Sequence, residues 1–171
     1  PYQNLRAQLL RDGQVLEYGA GAPDRTNLEG SLDPNEMAGT VVDDADAKLT
    51  GPWQTSIAMI PFVGAGYSRA VAADAVCSAR FETHLAHPGR YEVLLAYPAY
   101  RRRSSHVNAH VISAAGESVV TIDQRRSSPK TAPFFSLGVF EFAADSPAVV
   151  IVDNSGGNGS AAVDAVQWLP K

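Results

Sequence analysis

With a single cysteine, Cys77, the chain can form no internal disulfide, so packing and hydrogen bonds must hold its fold together. No stretch reaches the roughly 18 apolar residues of a membrane span, and no charged-then-apolar leader opens the sequence. Basic residues are in the minority, 14 Lys and Arg against 18 Asp and Glu. The resulting formal net charge of −4 disfavours a nucleic-acid partner. Catalytic signatures are missing as well. No serine lies in a Gly-x-Ser-x-Gly elbow, and no glycine fingerprint for a pyrophosphate follows an opening strand. Gly64-Ala65-Gly66-Tyr67 lacks the Lys-Ser/Thr of a phosphate loop and reads as a turn. A triad assembled from distant residues leaves no local mark, so a free-standing hydrolase stays open as a distant alternative.

What the chain does have is alternation. From Gly89 to Tyr97, Tyr91, Val93, Leu95 and Tyr97 fall on one face of an extended strand and Arg90, Glu92, Leu94 and Ala96 on the other. His87-Pro88-Gly89 and Pro98 bound it, so the spacing predicts a central strand with one face in a core. Further strands are predicted over residues 76–82, 91–97, 107–112, 119–124, 134–142 and 148–153, with a closing strand over 162–169. Ala115-Gly116, Ser127-Ser128-Pro129 and the run from Ser155 to Gly159 separate them. Residues 56–63 form another candidate extended piece. In 171 residues with 14 Gly and 11 Pro, this pattern predicts an all-β, antiparallel, jelly-roll-like β-sandwich. Phe140, Phe142, Val150, Val152, Val166 and Trp168 are its expected core, and Cys77 an inert buried thiol.

Ahead of the sandwich, Tyr2, Leu5, Leu9 and Leu10 recur at helical spacing and Asp12-Gly13 supplies a stop. Residues 1–14 therefore read as a short amphipathic helix, 15–39 as an irregular linker, and 40–171 as the sandwich module. The first residue is Pro1, not Met, which reads as a processed product or a piece of a longer protein.

Nine short motifs follow one another in a recognisable order. Val41-Val42-Asp43-Asp44-Ala45-Asp46-Ala47 comes first, then Gly51-Pro52-Trp53-Gln54-Thr55-Ser56 and Gly64-Ala65-Gly66-Tyr67. Ser78-Ala79-Arg80-Phe81, Gly89-Arg90-Tyr91-Glu92-Val93 and Arg103-Ser104-Ser105-His106-Val107 continue the series. Val120-Thr121-Ile122-Asp123-Gln124, Phe135-Ser136-Leu137-Gly138-Val139-Phe140 and Val163-Asp164-Ala165-Val166-Gln167 close it. Over about 40–170 the sequence resembles the golvesin C-terminal-like domain, the carbohydrate-binding-like domain of xanthan lyases. The chain departs from the family pattern at Arg102, where Asn is usual, and at Ser68-Arg69, where a Leu-His-like pair is frequent.

The resemblance implies a noncatalytic carbohydrate-binding-like module, C-terminal in a bacterial polysaccharide lyase or FAD-dependent oxidoreductase. The helix would then be the last element of a catalytic domain upstream, and the protein extracellular or periplasmic. Its implied partner is polysaccharide, with no nucleic acid and no membrane span. A purely structural role, in interdomain packing or oligomerisation, is the other reading the residues leave open.

Two constellations stand out for ligands. Tyr97, Tyr100, Arg101, Arg102, Arg103, His106, Arg125 and Arg126 combine aromatic faces for sugar rings with guanidinium forks for carboxylates, which suits an acidic glycan. The bland reading is a solvated arginine loop, with Arg103 tied to backbone carbonyls. Asp44 and Asp46 alternate onto one strand face and Asp164 lies on the closing strand. In carbohydrate-binding jelly rolls such carboxylates clasp a structural Ca²⁺, which takes six to eight oxygens. The competing reading has Asp43, Asp44 and Asp46 cap a turn. His106 and His110 are four apart, about 13 Å along a strand, too far for one ion.

Overall fold

The computed structural model describes residues 30–71, 76–127 and 132–171. Its strands, in chain order, are β1 (Ser31–Leu32), β2 (Thr40–Asp43), β3 (Lys48–Thr50), β4 (Trp53–Ser56) and β5 (Phe62–Val63). They continue with β6 (Tyr67–Ala70), β7 (Ser78–Thr83), β8 (Gly89–Ala96), β9 (Val107–Ser113) and β10 (Gly116–Ile122). The last four are β11 (Phe134–Phe142), β12 (Ala148–Asp153), β13 (Ala162–Val163) and β14 (Ala165–Pro170). A five-stranded sheet in the order β10-β9-β12-β7-β3 faces a four-stranded one in the order β11-β8-β14-β2, and every pairing in both is antiparallel. The protein is an all-β, jelly-roll-like sandwich, as the alternation predicts. The helix expected over residues 1–14 lies outside the described residues.

The strand from Gly89 occupies the interior of its sheet, between β11 and β14. Tyr91, Val93, Leu95 and Tyr97 all point into the main core, where they meet Phe81, Val107, Val111, Val150, Val152, Val166 and Trp168. Each fully buried Val, Leu or Phe contributes about 1.5–3 kcal/mol, so this inter-sheet layer is the main source of stability. The opposite face of β8 turns apolar at Leu94 and Ala96 because it too is covered. Leu32 and Met37, from the segment expected to be linker, pack there with Val63, Phe134 and Ala165. That segment is further fixed by the parallel pairing of β1 with β5 and by Gln167 Nε2 donating to the Ala38 carbonyl at 2.7 Å. Residues 30–39 are thus a cover for the sandwich.

Two local departures have simple causes. A β-bulge in β11 between Ser136 and Gly138 shifts the register, and Phe140 lies half-buried at the core edge while Phe142 is inside. The extended piece expected over 56–63 is split into β4 and β5, with an irregular loop at 57–61 that leaves Ile57 and Ile60 exposed. Cys77 is buried, as read from its neighbours. Burial raises its thiol pKa, and its backbone N–H donates to Asn154 Oδ1 at 2.8 Å.

Candidate functional site: a basic cleft and an acidic cluster

The chain between β8 and β9 crosses from one sheet to the other, and its backbone is held from several sides. Tyr100 N–H donates to Gln124 O, Gln124 N–H to Ser104 O, and Ser104 N–H to Ser160 O. Gln124 is fully buried and acts as a strand substitute, its Nε2 donating to Ala162 O at 2.7 Å while its Oε1 accepts from Ala162 N at 2.9 Å. This contact requires the glycine just before Ser160. A Cβ on Gly159 would stand 2.8–2.9 Å from the backbone of Arg103 and Ser104.

Against this braced loop lie β4 and β6, and between them opens a cleft of about 570 Å³. Its buried base is formed by Tyr67 and Arg103, with Ser160 and Ser56 beside them. Arg69, Arg102, Tyr100, Ala58 and Met59 complete the wall and rim. Among the described residues, three guanidiniums and no carboxylate line the cleft. Arg103 is 6% exposed; its Nη1 donates to Ser160 Oγ at 3.2 Å and its guanidinium stands 5.8 Å from the Tyr67 ring centroid. Its Nε is buried without a partner, and burial lowers its pKa. Its side chain reaches a hydroxyl and a ring, not the backbone carbonyls expected from sequence.

The arginine constellation is divided by the fold. Tyr100, Arg102 and Arg103 meet in the cleft, and Arg101 is exposed on the same loop. Tyr97 does not present a stacking face. It is 2% exposed, its hydroxyl donates to Arg126 O at 3.2 Å, and burial pushes its pKa up to about 12. Its place on the core face of the strand explains this. Arg125 and Arg126 lie on a neighbouring turn outside the cleft lining. Arg125 is held by Asp123 through two bonds of 2.7 and 2.9 Å, which bring that carboxyl down to about 2. Arg126 stands 3.6 Å from Asp123 and is largely exposed. His106 is exposed, its Nδ1 2.8 Å from Ser105 Oγ. The two departures from the family pattern, Arg102 and Arg69, both border the cleft, and Arg69 does so from a strand. Tyr67, Arg69, Ser56 and Ser160 were missed from sequence. The only local signal was Tyr67 and Arg69 alternating after the Gly-Ala-Gly turn.

The acidic cluster differs by one member from expectation. β2 ends at Asp43, and residues 44–46 form a turn, so the strand alternation that paired Asp44 with Asp46 does not continue. Asp46 is exposed, and Asp43, Asp44 and Asp164 instead place carboxylate oxygens within 4.8 Å of one another. Both Asp164 oxygens accept from Val63 N–H, at 3.1 and 3.0 Å, and Asp44 N–H donates to Asp164 O at 2.6 Å. Asp43 Oδ1 caps the turn by accepting from Ala45 N–H at 3.0 Å, so the capping reading holds for that oxygen. Asp43 Oδ2 is buried and has no partner. Gly64 approaches it so closely, at φ +61°, that a Cβ would lie 2.5 Å away. Burial pushes the Asp44 carboxyl up to about 7 and that of Asp164 up to about 9, and raises Asp43 also. His110 bonds Glu117 and Asp153 through opposite ring nitrogens, at 2.6 and 2.7 Å, so those three cannot converge on one ion.

Residues 40–169 match the family description of the golvesin C-terminal domain. The chain belongs to this family. A curated relative, the xanthan lyase of Bacillus sp. (strain GL1), is 31% identical over 152 residues, 84% of this chain. The chain spans only 16% of that lyase's length. Among solved structures, a Paenibacillus xanthan lyase superposes with a TM-score of 0.68 at 22% identity, over 77% of this chain and 13% of the other. The GH26-CBM35 β-(1,4)-mannanase of Podospora anserina gives 0.56 at 18% identity, over 77% of this chain and 27% of the other. These superpositions show that this golvesin C-terminal domain has the sandwich fold of modules within larger polysaccharide-active proteins.

Proposed function

We propose that this golvesin C-terminal domain is a noncatalytic carbohydrate-binding accessory module, spanning 40–171, that holds a linked catalytic domain at its polysaccharide. The cleft carries this reading: Tyr100, 40% exposed, offers a ring face beside three guanidiniums in a space large enough for sugar residues. Three guanidiniums with no carboxylate among the described lining residues favour acidic glycans over neutral ones. Family membership supports attachment to a polysaccharide lyase or a FAD-dependent oxidoreductase upstream, and a secreted bacterial parent, extracellular or periplasmic. Among the described residues no helix is long and apolar enough to cross a membrane.

Ca²⁺ fits the acidic cluster as a structural ion. The donors are all oxygen, Asp43 Oδ2 lacks a partner among the described residues, and three carboxylates converge in one place. Asp43, Asp44 and Asp164 would hold it, and its charge would keep them ionised while joining β2 to the residue between β13 and β14.

Affinity electrophoresis and calorimetry against xanthan, alginate and a neutral glucan, each at two salt concentrations, test the glycan reading. Acidic polymers should retard the protein, more weakly at higher salt because exposed charges are screened over about 10 Å at 0.1 M. Tyr100→Ala should weaken that retardation. If no polymer retards the protein, the module is structural.

A further inference from the structure

The base of the cleft presents a charge without a counter-charge. Arg103 is 94% buried by its 6% exposure, yet none of the salt bridges among the described residues includes it. An unpaired buried cation is costly, and proteins ordinarily pair such groups with a carboxylate. Here the neighbours are a hydroxyl, a phenol ring and two more guanidiniums. Among the described residues Arg69 Nη2 donates to the neutral Gln54 Oε1, at 2.6 Å, and Arg102 is exposed at the rim. The loop bearing Arg103 is fixed by the Gln124 and Ser160 contacts and cannot swing the charge into solvent without breaking them. Held in place, open on one side and short of one negative charge, this geometry complements a small planar anion.

We infer that the cleft contains an oxyanion subsite in which Arg103, flanked by Arg69 and Arg102, takes the carboxylate of an acidic sugar. A guanidinium fork matches a planar carboxylate with two parallel N–H···O bonds, and the exposed ring of Tyr100 leaves apolar surface for the sugar ring. The inference rests on the glycan reading and sharpens it. Tyr100 supplies general affinity for sugar rings, whereas Arg103 decides which sugar is selected.

The test is calorimetric titration of the full chain with glucuronate, glucose and glucose 6-sulfate, on the native protein and on Arg103→Lys, Arg69→Gln and Arg102→Gln. Glucuronate should bind at least tenfold more tightly than glucose, and each variant should reduce that preference. Arg103→Lys keeps the charge but loses the fork, so it should reduce glucuronate binding about tenfold. Should that variant fail to fold, Arg69→Gln and Arg102→Gln, at less buried positions, still decide. Equal affinity for glucose and glucuronate, or glucuronate binding indifferent to all three substitutions, overturns the subsite. Tighter binding of glucose 6-sulfate than of glucuronate overturns the assignment to a carboxylate. Retention by neutral and acidic polymers alike would leave the accessory-module reading standing and remove the subsite. Free glucuronate bound without retention by any polymer would do the reverse.

Discussion

Removing cations from the acidic cluster should make the fold markedly sensitive to alkaline pH. Asp44 and Asp164 carry folded-state pKa values raised to about 7 and about 9 from an ordinary 3.8, with burial the first cause in both. A raised carboxyl binds a proton in the folded state that the unfolded state has already released. Its contribution to stability is therefore complete below about pH 4 and is lost as pH rises towards the folded pKa. Each pH unit in that window costs about 1.4 kcal/mol per group. Between pH 5 and 8 Asp44 titrates over two units and Asp164 over three, which sums to about 7 kcal/mol at face value. Relaxation and water entry reduce this, and about 5 kcal/mol is a reasonable expectation, a large part of the 5–15 kcal/mol available to a domain. At roughly 2–4 °C per kcal/mol, the melting temperature in EDTA should fall by about 10–20 °C from pH 5 to 8. Added Ca²⁺ should flatten the profile, because an ion that binds only the folded state favours its ionised carboxylates. His110, whose pKa also rises because its bonds to Glu117 and Asp153 outweigh its burial, adds a smaller fall of the same sign. Scanning calorimetry of the protein and of Asp164→Asn separates the two, since the variant keeps His110 and loses most of the slope. A melting temperature in EDTA that stays level across this range would refute the reasoning, and a steep profile unmoved by Ca²⁺ would refute the ion alone.

Other consequences are simpler to check. Val93→Asp places a charge on the fully buried face of β8 and should abolish folding, since an unpaired buried carboxylate costs several kcal/mol; an unchanged melting temperature would contradict the strand's position. Gly159→Ala forces a Cβ against the Arg103 backbone, so it should lower stability by about 1–3 kcal/mol and weaken glycan retention, read by calorimetry and affinity electrophoresis. Cys77 should resist a thiol reagent in the native state and react on unfolding in guanidinium, because it is buried with its pKa raised.

Local periodicity determined most of the architecture. Tyr91, Val93, Leu95 and Tyr97 could be assigned to a core face because a strand's side chains alternate, whatever lies opposite. The strands over 134–142 and 148–153 have the predicted bounds for the same reason. Only the tertiary structure decided which polar residues meet. It broke the alternation at Asp43, replacing Asp46 in the acidic cluster, because the backbone turns there to begin a different pairing. It left Tyr100 exposed at the cleft, only three positions beyond the buried Tyr97. It also brought Arg69 to Arg102 and Arg103 across a cleft, a convergence set by how β6 and the loop after β8 cross between sheets. Such contacts join residues more than thirty positions apart. Their geometry follows from the packing of the whole sandwich, which no short stretch of sequence encodes.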